Sequence, residues 1–123
     1  MAAMEPATTY RPGHHVLADL YGCRYLDDAL EIERILSRAA TAAGATIIAT
    51  HFHAFPSAGG VTGMVLLAES HISIHTWPEH GFAAVDIFMC GPARADTAME
   101  VIRDALGPDR VVVKREQLGE DIT

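Results

Sequence analysis

Cationic side chains are scarce in this 123-residue chain: nine Lys and Arg stand against sixteen Asp and Glu, for a formal net charge of -7. The bases are scattered rather than gathered on one periodic face. That argues against nucleic acid or an anionic membrane as partner and leaves room for a cationic ligand. Long apolar runs are missing as well, and none approaches the roughly 20 residues of a membrane span. The opening MAAMEPATTYRPG has an acid and prolines where a signal peptide needs a basic and then an apolar run, which points to a cytoplasmic protein. Cysteine is limited to Cys23 and Cys90, far apart and outside any CxxC pattern. In a reducing compartment these read as free thiols rather than a disulfide. Half the residues are apolar, with no composition break, repeat or low-complexity stretch, so the chain reads as one domain with a single core.

The first dozen residues carry no periodic pattern and read as disordered. HHVLADLY (14 to 21) reads as a strand ended by Gly22. From Leu26 to Ala43 the apolar positions Ile32, Ile35, Leu36, Ala39, Ala40 and Ala43 make the stripe of an amphipathic helix, with Asp27 and Asp28 at its positive end and Gly44 at its stop. ATIIATHFHAF (45 to 55) predicts a strand, followed by the loop PSAGG (56 to 60). Further strands are predicted near 61 to 68, 71 to 77 and 82 to 89, then a helix over about 96 to 106 and a last strand RVVVK (110 to 114). Short turns between consecutive strands favour antiparallel pairing. Two helices can cover only one face of such a sheet, so the expected class is α+β, a two-layer α/β sandwich. The bare face of a small sheet is often buried against a second copy.

The segment AESHISIHTWP (68 to 78) places a carboxylate and a hydroxyl, Glu69 and Ser70, between two stretches that look like buried strand. Along a regular strand His71, Ser73 and His75 share one face while Ser70, Ile72 and Ile74 share the other. Either Ser70 and His75 are unrelated, or the backbone bends at Glu69-Ser70. A bent peptide before a serine has one specific chemistry open to it. The hydroxyl attacks the preceding carbonyl, the amide becomes an ester, and a base removes the serine α-hydrogen so that the ester is eliminated and the chain breaks. The dehydroalanine left behind hydrolyses to a pyruvoyl group. That electrophile forms a Schiff base with a substrate amine and accepts the electrons released with CO2. A nearby histidine suits the proton transfer.

Serine after glutamate is common, and taken alone the pair is an ordinary turn. GVTGMVLLAESHISIHTWPEHGFAAVDIFMCG (60 to 91), however, resembles the processing and active-site segment of the prokaryotic S-adenosylmethionine decarboxylases, pyruvoyl enzymes of spermidine synthesis. GHH (13 to 15), LYGC (20 to 23), LDD (26 to 28), AGAT (43 to 46) and FHAF (52 to 55) fit the same family in order. The resemblance implies self-cleavage into residues 1 to 69 and 70 to 123, with Ser70 becoming the pyruvoyl cofactor. It implies that His75 takes the serine α-hydrogen and that Cys90 returns a proton to the substrate α-carbon, work suited to a thiol. It implies that Phe55 and Trp77 sandwich adenine near the sulfonium, and that Glu79 accepts hydrogen bonds from the ribose hydroxyls. It also implies a homodimer of cleaved protomers acting on a small-molecule substrate. Two features depart from the pattern. Thr62 stands where the family has a serine whose hydroxyl helps processing, and FPSAGGV (55 to 61) is one residue longer than usual.

Plainer roles stand beside these. Cys90 ends an apolar strand, where cysteine is often a small core residue, and Cys23 reads as structural. Trp77 and Phe55 are of a type more often found in cores. His51-x-His53 and His71-x3-His75 lack a CxxC partner and nearby acids, so no metal is expected. Two other functions are compatible with the chemistry: decarboxylation of arginine or ornithine, against which TWPE (76 to 79) speaks, and an uncleaved regulatory subunit, against which the joint presence of Ser70, His75 and Cys90 speaks.

Overall fold

The computed structural model describes residues 12–57 and 59–119, so the disordered reading of the opening segment lies outside the described residues, save for Pro12. Six strands and two α-helices follow the expected order: β1 (Gly13–Tyr21), α1 (Ala29–Ala42), β2 (Ile47–Ala54), β3 (Val61–Leu67), β4 (Ser70–Trp77), β5 (Phe82–Met89), α2 (Ala95–Leu106) and β6 (Arg110–Leu118). The strands form one sheet in the order β2-β3-β4-β5-β1-β6, every neighbouring pair antiparallel. Helix α1 packs on β2 and β3, α2 on β1 and β5, and the helices touch each other, so both lie on one face. The expected two-layer α+β sandwich is the fold.

Period-2 burial makes the core. Val16, Leu20, Val65, Ile72, Ile74 and Ile87 point to the helices and are fully buried, and α1 meets them with Ile32, Ile35, Leu36, Ala39 and Ala40. The helix begins at Ala29, three residues after the apolar stripe suggests, because Asp28 caps it: the Asp28 side chain accepts the Glu31 N–H at 3.0 Å. Leu26 is still buried, but as part of the lead-in. Thr76 is the one buried polar residue among those described. Its hydroxyl donates to the Leu26 carbonyl (2.7 Å) and accepts the Val61 N–H (2.8 Å), pinning the lead-in of α1 to the start of β3.

Two strand boundaries differ from the expectation. β2 starts at Ile47 rather than residue 45, because Thr46 is engaged by the β3–β4 turn and the register slips between Ile47 and Ala49. β6 runs to Leu118, well past Lys114. It is an edge strand, where Arg115 pairs opposite Val16 and Gln117 opposite His14, and charged residues on an edge break the apolar alternation while keeping other strands from adding there. Among the described residues no element covers the second face of the sheet, and Met64, Leu66, Trp77 and Val112 stand exposed on it.

Candidate active site

Strands β3 and β4 form a hairpin whose turn is Ala68-Glu69. Ser70, the first residue after it, has φ of 138°, in the half of backbone space that suits glycine. Such a conformation costs on the order of 1–3 kcal/mol and persists only where the surroundings hold it. Three hydrogen bonds do so. The Glu69 carboxylate accepts the Thr46 N–H at 2.9 Å, the Ala68 N–H donates to the Thr46 carbonyl at 2.9 Å, and the Glu69 carbonyl accepts the Cys90 N–H at 3.0 Å. The glutamate side chain is therefore a tie between the hairpin tip and the start of β2. Of the two alternatives left by the strand parity, the backbone bend is present.

His75 is nevertheless not beside Ser70. The two lie five residues apart on one strand, roughly 16 Å at the usual rise, and on opposite faces. His75 is exposed on the uncovered face, where its Nδ1 lies 3.2 Å from the Thr62 hydroxyl in the adjacent position of β3. His53 is the other cross-strand neighbour of Thr62. These three side chains, with His51, Met64 and Ser73, line a groove of about 480 Å3. Thr62 presents its hydroxyl to the histidine.

Cys90 lies just past the end of β5, half-buried, with its backbone N–H on the Glu69 carbonyl. Cys23 packs against the core. Burial, and then the nearby Asp109 carboxylate, push its thiol up to about 11. Both cysteines are free.

A third set of residues lies at the far end of β4. Trp77 pairs opposite Phe82 with the rings stacked, centroids 5.2 Å apart. On the other side, Gly60 immediately precedes β3. The Phe55 N–H donates to the Gly60 carbonyl at 2.8 Å. A Cβ on Gly60 would stand 2.7 Å from the Thr76 carbonyl oxygen, so only glycine fits. Two exposed aromatics thus lie near Gly60: Phe55, whose ring meets His53 edge-on with centroids 4.5 Å apart, and Trp77, stacked on Phe82. Glu79 follows in a single 3-10 turn (Pro78–His80), exposed.

The sequence reading missed Thr46, whose partner Glu69 is 23 residues away, and Asp86, which holds His15 at 2.6 Å and approaches His71 at 3.6 Å. The parity of FAAVDIF puts Phe82, Asp86 and Phe88 on the outer face and was the available signal for the latter. Among the described residues no three His, Cys, Asp or Glu side chains come together as a metal site, and no helix is long and apolar enough to cross a membrane.

Fold and geometry together define a small α+β protein with a strained serine at a hairpin tip and exposed aromatics beside an uncovered sheet face. A family model described as S-adenosylmethionine decarboxylase matches residues 14–117, and the chain belongs to that family. It is 44% identical over 110 residues to the S-adenosylmethionine decarboxylase proenzyme of Persephonella marina (87% of this chain, 82% of the relative). It is 50% identical over 105 residues to that of Methanococcus vannielii (82% and 84%). The crystal structure of the adenosylmethionine decarboxylase from Aquifex aeolicus superposes with a TM-score of 0.80 at 45% identity, covering 85% of this chain and 88% of that one.

Proposed function

We propose that this chain is a proenzyme that cuts itself between Glu69 and Ser70, and that the product decarboxylates S-adenosylmethionine with a pyruvoyl group made from Ser70. The carrying observation is the strained Ser70 beside a carbonyl already held by a backbone donor. The relatives' name, a decarboxylase proenzyme, supports both halves of the reading.

The Ser70 hydroxyl attacks the Glu69 carbonyl carbon and the amide becomes an ester. The Cys90 N–H, 3.0 Å from that oxygen, stabilises the negative charge that develops there. A base then takes the Ser70 α-hydrogen, the Cβ–Oγ bond breaks, and Glu69 departs as the carboxylate end of residues 1–69. The dehydroalanine heading residues 70–123 takes up water and loses ammonia. Once made, the keto-amide at residue 70 would supply a carbonyl that condenses with the substrate amine, with loss of water, and a sink for the electron pair released with CO2.

The base is His75, its ring oriented by the Thr62 hydroxyl. It cannot reach Ser70 of its own chain, so the protein works as a homodimer in which Thr62 and His75 of one protomer serve Ser70 of the other. The uncovered face, with Met64, Leu66 and Val112 exposed on it, supports that assembly. Cys90 returns the proton to the substrate α-carbon after CO2 leaves. Phe55 and Trp77 take the adenine between them, their negative faces favour the sulfonium, and Glu79 binds the ribose hydroxyls. Two free thiols suit the reducing cytoplasm as the site of action.

Intact-mass measurement tests the first half. Wild-type protein is expected as two chains, 1–69 and 70–123, and Ser70→Ala as one; a wild type that stays full length after prolonged incubation sinks self-processing and leaves a regulatory subunit. Release of CO2 from S-adenosylmethionine without added pyridoxal phosphate, with borohydride trapping in its presence, tests the second half. Preference of the cleaved protein for arginine or ornithine would overturn the substrate while leaving the cleavage chemistry standing.

A further inference from the structure

The aromatic pairing at Trp77 does not stop at Phe82. Phe82 pairs opposite Tyr21 on β1 with centroids again 5.2 Å apart and the same 29° between ring planes, and Tyr21 pairs opposite Arg110 on β6, whose guanidinium carbon stands 4.2 Å over the Tyr21 ring. Four adjacent strands thus present one continuous row on the uncovered face. It ends in a cation on one side and in Trp77 on the other. A pocket of about 400 Å3 opens along it, lined by Tyr21, Trp77, His80 and Phe82.

We infer that Phe82, Tyr21 and Arg110 are positioning residues that hold the Trp77 indole upright for the nucleoside, and so act on substrate affinity through that ring. The inference rests on the reading of Trp77 as an adenine platform. Trp77 is 41% exposed, and an indole at a strand end with nothing behind it would turn about its side-chain torsions and lose orientational freedom each time a ligand docked. Packing its back face against Phe82 settles that orientation before substrate arrives, the general way in which preorganisation raises affinity. Phe82 needs a backing of its own, and Tyr21 supplies it. Arg110 covers the last ring with a charge that stays hydrated at the exposed edge, so the row ends without an apolar surface open to water. Offset stacking at these separations is favourable in each pair.

The chain contains a single tryptophan, so intrinsic fluorescence of the cleaved enzyme reports this ring alone. In Phe82→Leu, emission is expected to move to longer wavelength and acrylamide quenching to increase. KM for S-adenosylmethionine should rise about three- to tenfold while kcat stays within about twofold. Borohydride trapping with methylamine, which has no nucleoside, should not change. Phe82→Tyr should restore both emission and KM, and Arg110→Ala should raise KM by about twofold. An unchanged emission and KM in Phe82→Leu overturns the inference; so does a fall in kcat and methylamine trapping together, the mark of a general structural role. Should Phe82→Leu fail to fold, unchanged quenching and KM in Arg110→Ala overturn it at the exposed edge. If Trp77→Ala leaves KM unaltered, the adenine platform fails first. A fluorescence response in Phe82→Leu would then mark the row as sheet stabilisation only, and the positioning role falls with the platform.

Discussion

The two faces of the sheet are built from the same strands and do different things. On β4, Ile72, Ile74 and Thr76 face the helices, and apart from Thr76, whose hydroxyl is fully engaged, that face is apolar. The alternate residues His71, Ser73, His75 and Trp77 face outward, among Asp86, His15 and Thr62. One strand therefore carries packing at even positions and reactive groups at odd ones, a consequence of nothing more than the two-residue period. Substitutions on the inner face should cost stability, and those on the outer face chemistry. Ser70 shares the helix-side parity of Ile72 and Ile74, but it stands at the hairpin tip, with a positive φ, where the cut is proposed.

The sharpest way to break this division is to ask whether the outer face works across two copies. His75→Ala and Ser70→Ala, expressed separately, should each remain a single uncut chain. Expressed together, they should yield cleaved product from the His75→Ala chains alone, since only those keep the serine while their partners keep the histidine. Absence of any cleaved chain from a mixture shown to form mixed dimers would refute the shared site.

Next in size is Cys90→Ser. The backbone N–H on the Glu69 carbonyl survives this substitution, so cleavage should proceed at least in part. The acid that protonates the product is lost, and decarboxylation should fall by about 10²- to 10⁴-fold. Mass spectrometry beside a CO2 assay separates the two readouts, and full activity would return Cys90 to a packing role.

Neighbouring residues on β4 give the direct test of the two faces. In the uncut Ser70→Ala background, Ile74→Ala should cost about 2–5 kcal/mol in urea unfolding, because it opens a cavity at a fully buried site. Ser73→Ala, one residue away and facing outward, should stay within about 0.5 kcal/mol. Equal losses would mean that the outer face is packed as tightly as the core.

How much of this was legible in the sequence follows the same division. The inner face announces itself, because Ile72, Ile74, Val85 and Ile87 repeat at the strand period and Ile32 to Ala43 at the helix period. The outer face has no period of its own, and His75, Trp77 and Glu79 took on meaning through the family resemblance. What neither could supply is partnership across long separations. The tie from Thr46 to Glu69 and the hydroxyl of Thr76 on Leu26 depend on which segments lie side by side. The true length of β6 was hidden for another reason, since Arg115 to Gln117 carry no apolar alternation and are held instead by backbone pairing with β1, the Arg115–Asp96 ion pair and the Gln117 bond to the Gly13 carbonyl.

A smaller effect is expected on the outer face at Glu79. Glu79→Gln keeps the size but weakens acceptance from two hydroxyls, and should lower kcat/KM for S-adenosylmethionine by about 1.5–3 kcal/mol, chiefly through KM. No change in KM would detach the ribose from this residue.

The smallest effect concerns the thiol that faces the core. Burial, and then Asp109, disfavour the Cys23 thiolate, so its folded-state value of about 11 lies above the ordinary 9.0. Folding therefore favours the protonated thiol. The associated stability is fully present below about pH 9 and is lost as pH rises through about 11, where the unfolded chain would ionise more readily than the folded one. Cys23→Ala should flatten the decline of the urea midpoint over that window, relative to a parent carrying Cys23, while leaving midpoints at pH 7 and 8 parallel. Iodoacetamide at pH 8 should label Cys90 before Cys23 in the folded protein, and both alike in urea. Faster labelling of Cys23 in the folded state would show that it is not held as a neutral core thiol and would blur the line between the two faces.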